Sequence, residues 1–204
     1  MDTYLNVFQW IYRNDRWGGS GPGSKARYCA RWCDFMEEFL ESNGIESVLD
    51  IGCGYREYAD YKDWAAPLKR YHGVDLVDVP ISACKVRFGA CNNYVFSVGD
   101  GFCDVELSQY DLVVVKDVFN HLPLNCVREK LLRLNECRCA LLVHDYVPNL
   151  PNGEIVAGDS RPIDPTRFDV GKPVLTFFWN SKGVWLMCQD LSRGRLGRLR
   201  RQLV

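Results

Sequence analysis

An apolar run that breaks off at Asp50-Ile51-Gly52-Cys53-Gly54 constrains this chain more than any other feature. Val48 and Leu49 carry a short buried strand into an acid, and a Gly-x-Gly turn follows. In an open α/β sheet, ligands bind beyond the carboxyl ends of the strands. Two glycines let the backbone turn sharply and come close to such a ligand. A pyrophosphate-binding fingerprint would need a third glycine three residues on. Glu57 stands there instead, so that fingerprint is incomplete.

The pattern around this turn predicts strands alternating with helices. ESVLDI (46–51), YHGVDLV (71–77), YVFSVGD (94–100), YDLVVVKD (110–117) and CALLVHDY (139–146) read as strands. The clearest intervening helix is PLNCVREKLLRLNE (123–136). Such alternation gives a mostly parallel sheet with helices on both faces. Near the end, VLTFFW (174–179) and GVWLMCQ (183–189) flank Asn180-Ser181-Lys182, which predicts a β-hairpin. Ahead of the first strand, Leu5, Phe8, Ile11 and Tyr12 have helical spacing over 3–13. WGGSGPGS (17–24), with four glycines and a proline, must be a loop. Ser24 is placed to cap a helix over 25–43 whose apolar face carries Tyr28, Trp32, Phe35, Met36, Phe39 and Leu40, with Asn43-Gly44 closing it.

Four further places on the strand ends carry chemistry. Asp75 lies 21 residues after Gly54 at the end of the second strand, where an acid accepts hydrogen bonds from the ribose hydroxyls of a nucleoside. A strand-end carboxylate capping a turn is the plainer reading. Gly99-Asp100-Gly101 follows the third strand; Asp100 can accept from an adenine amino group, with the ring against Phe102 or Leu76, although Asp-Gly also makes an ordinary turn. Lys116-Asp117-Val118-Phe119-Asn120-His121 follows the fourth strand, and His144-Asp145-Tyr146 the fifth. Asp117 could equally cap a helix, and His121 could be a satisfied surface histidine.

Composition narrows the class. Of 204 residues, 47% are hydrophobic and 25% charged, an ordinary globular balance. No apolar run approaches the length of a membrane span, and MDTYLNVFQW does not read as a signal peptide. The expectation is a cytoplasmic protein that does not engage a membrane. The ten cysteines read as free, mostly buried thiols. Cys29/Cys33 and Cys137/Cys139 lack zinc-knuckle spacing, so no metal is expected. Net charge is −1, but Arg193, Arg195, Arg198, Arg200 and Arg201 crowd the tail after Asp190; without them 20 basic residues face 26 acidic ones. A basic tail on an acidic body suits a polyanionic partner, while a solvated, frayed end is the bland alternative.

Taken in order, YRNDRWGGSGPGS (12–24), SVLDIGCG (47–54), YHGVDLV, DLVVVKDVFNHLP (111–123), ALLVHDYVPN (140–149) and GDSRPID (158–164) resemble a family of small bacterial and viral class I methyltransferases that use S-adenosylmethionine (SAM). The likeness runs from about residue 8 to residue 179. It implies a Rossmann-like, seven-stranded, mostly parallel sheet with a C-terminal antiparallel hairpin. It further implies one methyltransferase domain over 1–190, its first 45 residues supplying helices and the glycine-rich loop, with 191–204 as a basic tail.

By that resemblance Asp50, Gly52 and Gly54 line the methionine part of SAM, Asp75 and Leu76 hold the nucleoside, and Asp100 and Gly101 sit near adenine. Trp17, Gly19, Ser20 and Ser24 belong to the loop closing over the cofactor. Lys116, Asp117 and His121 border the acceptor as catalytic candidates, Lys116 also near the cofactor. His144, Asp145, Tyr146 and Arg161 are the candidate acceptor-binding residues. Bacterial relatives often carry Gly-Asp-Trp where this chain has Gly54-Tyr55-Arg56, which leaves that wall of the pocket undefined.

Methyl transfer from a sulfonium is an in-line displacement in which the cofactor carries the reactivity and the protein supplies alignment. Lys25, Asp117 and Glu154 make at most part of the Lys-Asp-Lys-Glu set of ribose methyltransferases, because no lysine lies in or just after the fifth strand. The expected acceptor is RNA, most concretely the guanine N7 of a viral-type mRNA cap. Arg161, Arg167 and the arginine tail could hold its phosphates, and Tyr12, Trp17 and Tyr55 could stack a base. A small-molecule O- or N-methyltransferase is the alternative, and a non-catalytic SAM-fold binding subunit a third reading. If the protein is viral, its place is the host cytoplasm.

Overall fold

A computed structural model describes the backbone at residues 2–168, 175–179 and 182–188, and the chain groups into two compact units, Met1–Val105 and Glu106–Val204. The basic tail lies outside the described residues.

The first unit holds helices α1 (Asp2–Arg13), α2 (Ala26–Asn43) and α3 (Asp78–Phe88) with strands β1 (Ser47–Ile51), β2 (Arg70–Asp75) and β3 (Tyr94–Val98). The strands are parallel, in the order β3-β2-β1. β1 and β2 are buried along almost their whole length, as expected of parallel strands covered on both faces. Phe8 and Ile11 of α1 are buried. α2 buries Cys29, Trp32, Cys33, Met36, Phe39 and Leu40, whereas Tyr28, expected on that face, is exposed under the Arg27 guanidinium. Gly44 ends α2 in the left-handed conformation, its N–H reaching the Leu40 and Glu41 carbonyls. The start differs from expectation. Ser24 lies in a 3-10 turn (Pro22–Ser24) and donates to the Ser20 carbonyl, so α2 begins without a side-chain cap.

The second unit holds α4 (Leu124–Arg133) and strands β4 (Leu112–Lys116), β5 (Cys139–Asp145), β6 (Leu175–Trp179) and β7 (Lys182–Cys188). β4 and β5 are parallel; β5–β7 and β7–β6 are antiparallel. Leu112 to Val115 and Ala140 to Val143 form the buried centre with Val184, Trp185 and Leu186. The whole is α/β, Rossmann-like and mostly parallel, with a C-terminal antiparallel pair. One boundary matters later: Lys182, expected in the hairpin turn, is the first residue of β7 and stands opposite Asp145.

Eight described cysteines are free thiols, six of them buried. Cys139 corrects the all-thiol expectation: it is disulfide-bonded, and its Cα lies opposite that of Cys188 in the β5–β7 register. Among the described residues no group of His, Cys, Asp and Glu is arranged to hold a metal, and no helix is long and apolar enough to cross a membrane.

Candidate cofactor and acceptor sites

The turn after β1 needs its glycines. Gly52 and Gly54 take φ of 72° and 54°, a region that side chains disfavour. The N–H groups of Gly52 and Cys53 donate to the Val74 carbonyl, at 2.7 and 3.2 Å. The Gly54 N–H donates to Asp75 Oδ2, and the Val77 N–H to Asp75 Oδ1, both at 3.0 Å. Asp75 therefore joins the ends of β1 and β2. Burial pushes its carboxyl up to about 6, against the lowering effect of those two N–H donors.

The 17–24 loop rests directly on this turn. A Cβ on Gly54 would lie 2.2 Å from Ser20 Oγ, and that oxygen accepts from the Tyr55 N–H at 2.8 Å. The Ser20 N–H donates to Glu57 Oε2 at 3.0 Å, and Lys25 forms an ion pair with Glu57 Oε1. Gly19 donates to Asp15 Oδ1 at 2.7 Å. Trp17 lies edge-on to Tyr12, which in turn lies edge-on to Tyr55. Ser20 thus rests against Gly54 and Gly19 against Glu57, while Trp17 packs on Tyr12 and Ser24 bonds back to Ser20.

Asp50 is buried, and one of its oxygens accepts from the Tyr71 and Tyr58 hydroxyls, at 2.6 and 2.9 Å, which ties the end of β1 to β2. Arg56, beyond the reach of sequence reasoning, lies at the centre of the same network. It is fully buried, donates to Tyr58 and Asp63, and packs over the rings of Tyr71, Phe88 and Tyr94. An arginine at this position carries no sequence signal of burial.

At the end of β3, Asp100 Oδ1 accepts from the Phe102 N–H at 3.0 Å and closes its own turn. Gly101 has no room for a side chain, since a Cβ would lie 2.9 Å from Ile51. Phe102 is buried core and has no face to offer adenine; Leu76 is half-buried beside Asp75.

In the second unit Lys116, Asp117, Lys182 and Asp145 form a chain of charges. Lys116 and Lys182 each donate to one Asp117 oxygen at 2.6 Å, and Lys182 reaches Asp145 at 2.8 Å. Asp117 has a left-handed backbone, φ 56°. Burial alone would raise its pKa, but the two ammoniums outweigh it and hold the carboxyl well below the usual carboxylate range. Lys182 is the residue that sequence reasoning missed, because it was assigned to the hairpin turn rather than to a strand facing Asp145.

His121 is half-buried and neutral, its pKa lowered by burial. Nδ1 faces the Asp159 carbonyl at 2.8 Å, and Nε2 meets the Asn120 amide at 3.2 Å, so Nδ1 carries the proton. His144 departs from the rim position expected. It is fully buried between the rings of Phe119 and Trp185, and neither ring nitrogen has a hydrogen-bond partner among the described residues. Burial pushes its pKa down to about 3. Arg161 is likewise buried, and its guanidinium donates to the carbonyls of Phe119, Asn120 and Leu122. It clamps the 119–122 turn instead of facing an acceptor. Tyr146 is half-buried, edge-on to Trp185. Glu154 accepts from the first N–H of α4, a helix-capping role.

No protein-family model matches the chain, and no curated protein matches it. Solved structures do. A protein from work on the conversion of a disulfide bond into a thioacetal group during echinomycin biosynthesis is 18% identical, TM-score 0.61, over 98% of this chain and 97% of that one. An O-methyltransferase family protein from Burkholderia thailandensis is 14% identical, TM-score 0.63, over 82% of this chain, which spans 58% of that protein. Magnesium protoporphyrin IX methyltransferase from Synechocystis PCC 6803, solved with S-adenosylhomocysteine (SAH), is 14% identical, TM-score 0.60, over 78% and 83% of the two chains. At such identities the likeness concerns the fold: this chain has the α/β fold of those proteins, two of which are methyltransferases by name.

Proposed function

We propose that this protein is a SAM-dependent methyltransferase. The carrying observation is the Gly52–Gly54 turn stitched to Asp75, a glycine cradle with a buried carboxylate beside it. These residues fit a nucleoside. Asp75 would accept from the ribose hydroxyls, the glycines would let the backbone approach, and Leu76 would border the adenine. When bound, SAM supplies an electrophilic methyl group. The first test is calorimetry with SAH: micromolar binding, lost in Asp75→Ala, supports the reading, and an absence of binding would leave a non-catalytic subunit.

The acceptor follows from what the candidate bases can do. Asp117 is held ionised by two lysines and is a feeble proton acceptor. His121 has both ring nitrogens engaged, and His144 is sealed in the core. Such a set favours an acceptor with its own lone pair, which needs no deprotonation. Guanine N7 of an RNA cap meets that description, and the arginine tail supports a polyanion. With Arg161 turned inward, the tail carries the RNA reading. Labelled methyl transfer to capped against uncapped short RNA tests it; transfer only to small amines, thiols or hydroxyls would move the assignment to a small-molecule enzyme. A single seven-stranded sheet and a single domain over 1–190 belong to the same proposal.

A further inference from the structure

An ion pair between Lys25 and Glu57 touches the glycine-rich loop over the β1 turn. Resting on the cofactor reading above, we infer that Lys25, Glu57 and the Ser20 N–H form the clamp for the zwitterionic amino-acid end of the cofactor.

The strand order supplies the direction. In the first unit the ends of β3, β2 and β1 lie side by side in that order. A base near Asp100 and a ribose on Asp75 point the 5′ side of the nucleoside toward the Gly52–Gly54 turn. Whatever hangs from the 5′ carbon arrives where Ser20 Oγ sits against Gly54. At that spot the Glu57 carboxylate is held by the Ser20 N–H at 3.0 Å and by the Lys25 ammonium. An N–H and an ammonium converging on one carboxylate make a carboxylate site, and here a side chain of the protein fills it. Gly19 is shaped around the same group, since a Cβ there would lie 2.6 Å from Glu57 Oε1.

The tail of SAM carries one carboxylate and one ammonium. Its carboxylate would take the Ser20 N–H and Lys25, and its ammonium would take Glu57. One internal ion pair is thereby exchanged for two, and no charge is left alone. This also accounts for an acid at the place where a dinucleotide fold has its third glycine. A pyrophosphate would be repelled there, whereas a zwitterion needs the negative charge.

The test compares SAH with 5′-methylthioadenosine, which has the nucleoside but lacks the amino-acid end. Lys25→Met and Glu57→Gln should weaken SAH by about tenfold or more, the scale of one charge-assisted hydrogen bond. Both variants should hold 5′-methylthioadenosine nearly as the parent does, which also shows that they fold, and Lys25→Arg should recover much of the loss. Equal weakening of both ligands, or unchanged SAH binding, would overturn the clamp. If the parent protein binds neither ligand, the cofactor reading itself fails.

Discussion

On the proposed cofactor reading, Asp75 serves structure and binding with opposite pH responses. Its folded-state pKa, about 6, lies above the ordinary 3.8. The folded chain therefore holds the proton more tightly than the unfolded chain. Its burial penalty applies above about pH 6 and is relieved as the pH falls from 6 toward 4, a contribution of roughly 3 kcal/mol at 1.36 kcal/mol per pH unit. SAH binding should respond in the other direction, because a protonated Asp75 loses part of its acceptor capacity. Calorimetry from pH 7.5 to 5 should show affinity falling through about pH 6, and Asp75→Asn should flatten that profile. Spacing marks Asp75 as the candidate ribose acid. Its bonds to Gly54 and Val77 depended on how two loops meet, which no spacing encodes.

At the scale of elements, the two strand-end networks respond to substitution in contrasting ways. Arg56 is a buried charge surrounded by Tyr58, Tyr71, Phe88 and Tyr94 and paired with Asp63. Arg56→Leu leaves Asp63 and two tyrosine hydroxyls with fewer partners, and should cost roughly 3 kcal/mol or more in chemical denaturation. On β5, His144 is neutral and stacked between two rings. A histidine whose pKa is depressed to about 3 contributes stability that is present above about pH 6.5 and lost on acidification. His144→Phe should fold, lose less stability between pH 6.5 and 4, and keep methyl transfer if the residue is core rather than catalytic. The strands are legible in the sequence because apolar runs mark parallel strands plainly. Lys182 is not legible as a strand residue, because a single lysine at a turn looks the same whether it starts a strand or ends a loop.

For the whole molecule, the tail 191–204 is the handle on the acceptor. If RNA is methylated, deleting 191–204 should weaken RNA binding and flatten its salt dependence, since each lost phosphate contact reduces the slope by about one. SAH binding should be unchanged. A small-molecule enzyme would keep its activity on this deletion and change little with salt.

The sequence alone determined the strand and helix alternation, the glycine turn and the acid at the end of the second strand, because these follow from local hydrophobicity, backbone freedom and spacing. Tertiary structure decided the rest. It turned Asp50, His144 and Arg161 inward, buried Arg56, and brought Lys182 to Asp117 from 65 residues away. The physical reason is that a polar side chain's role depends on which partners distant segments deliver to it, and on whether water can still reach it.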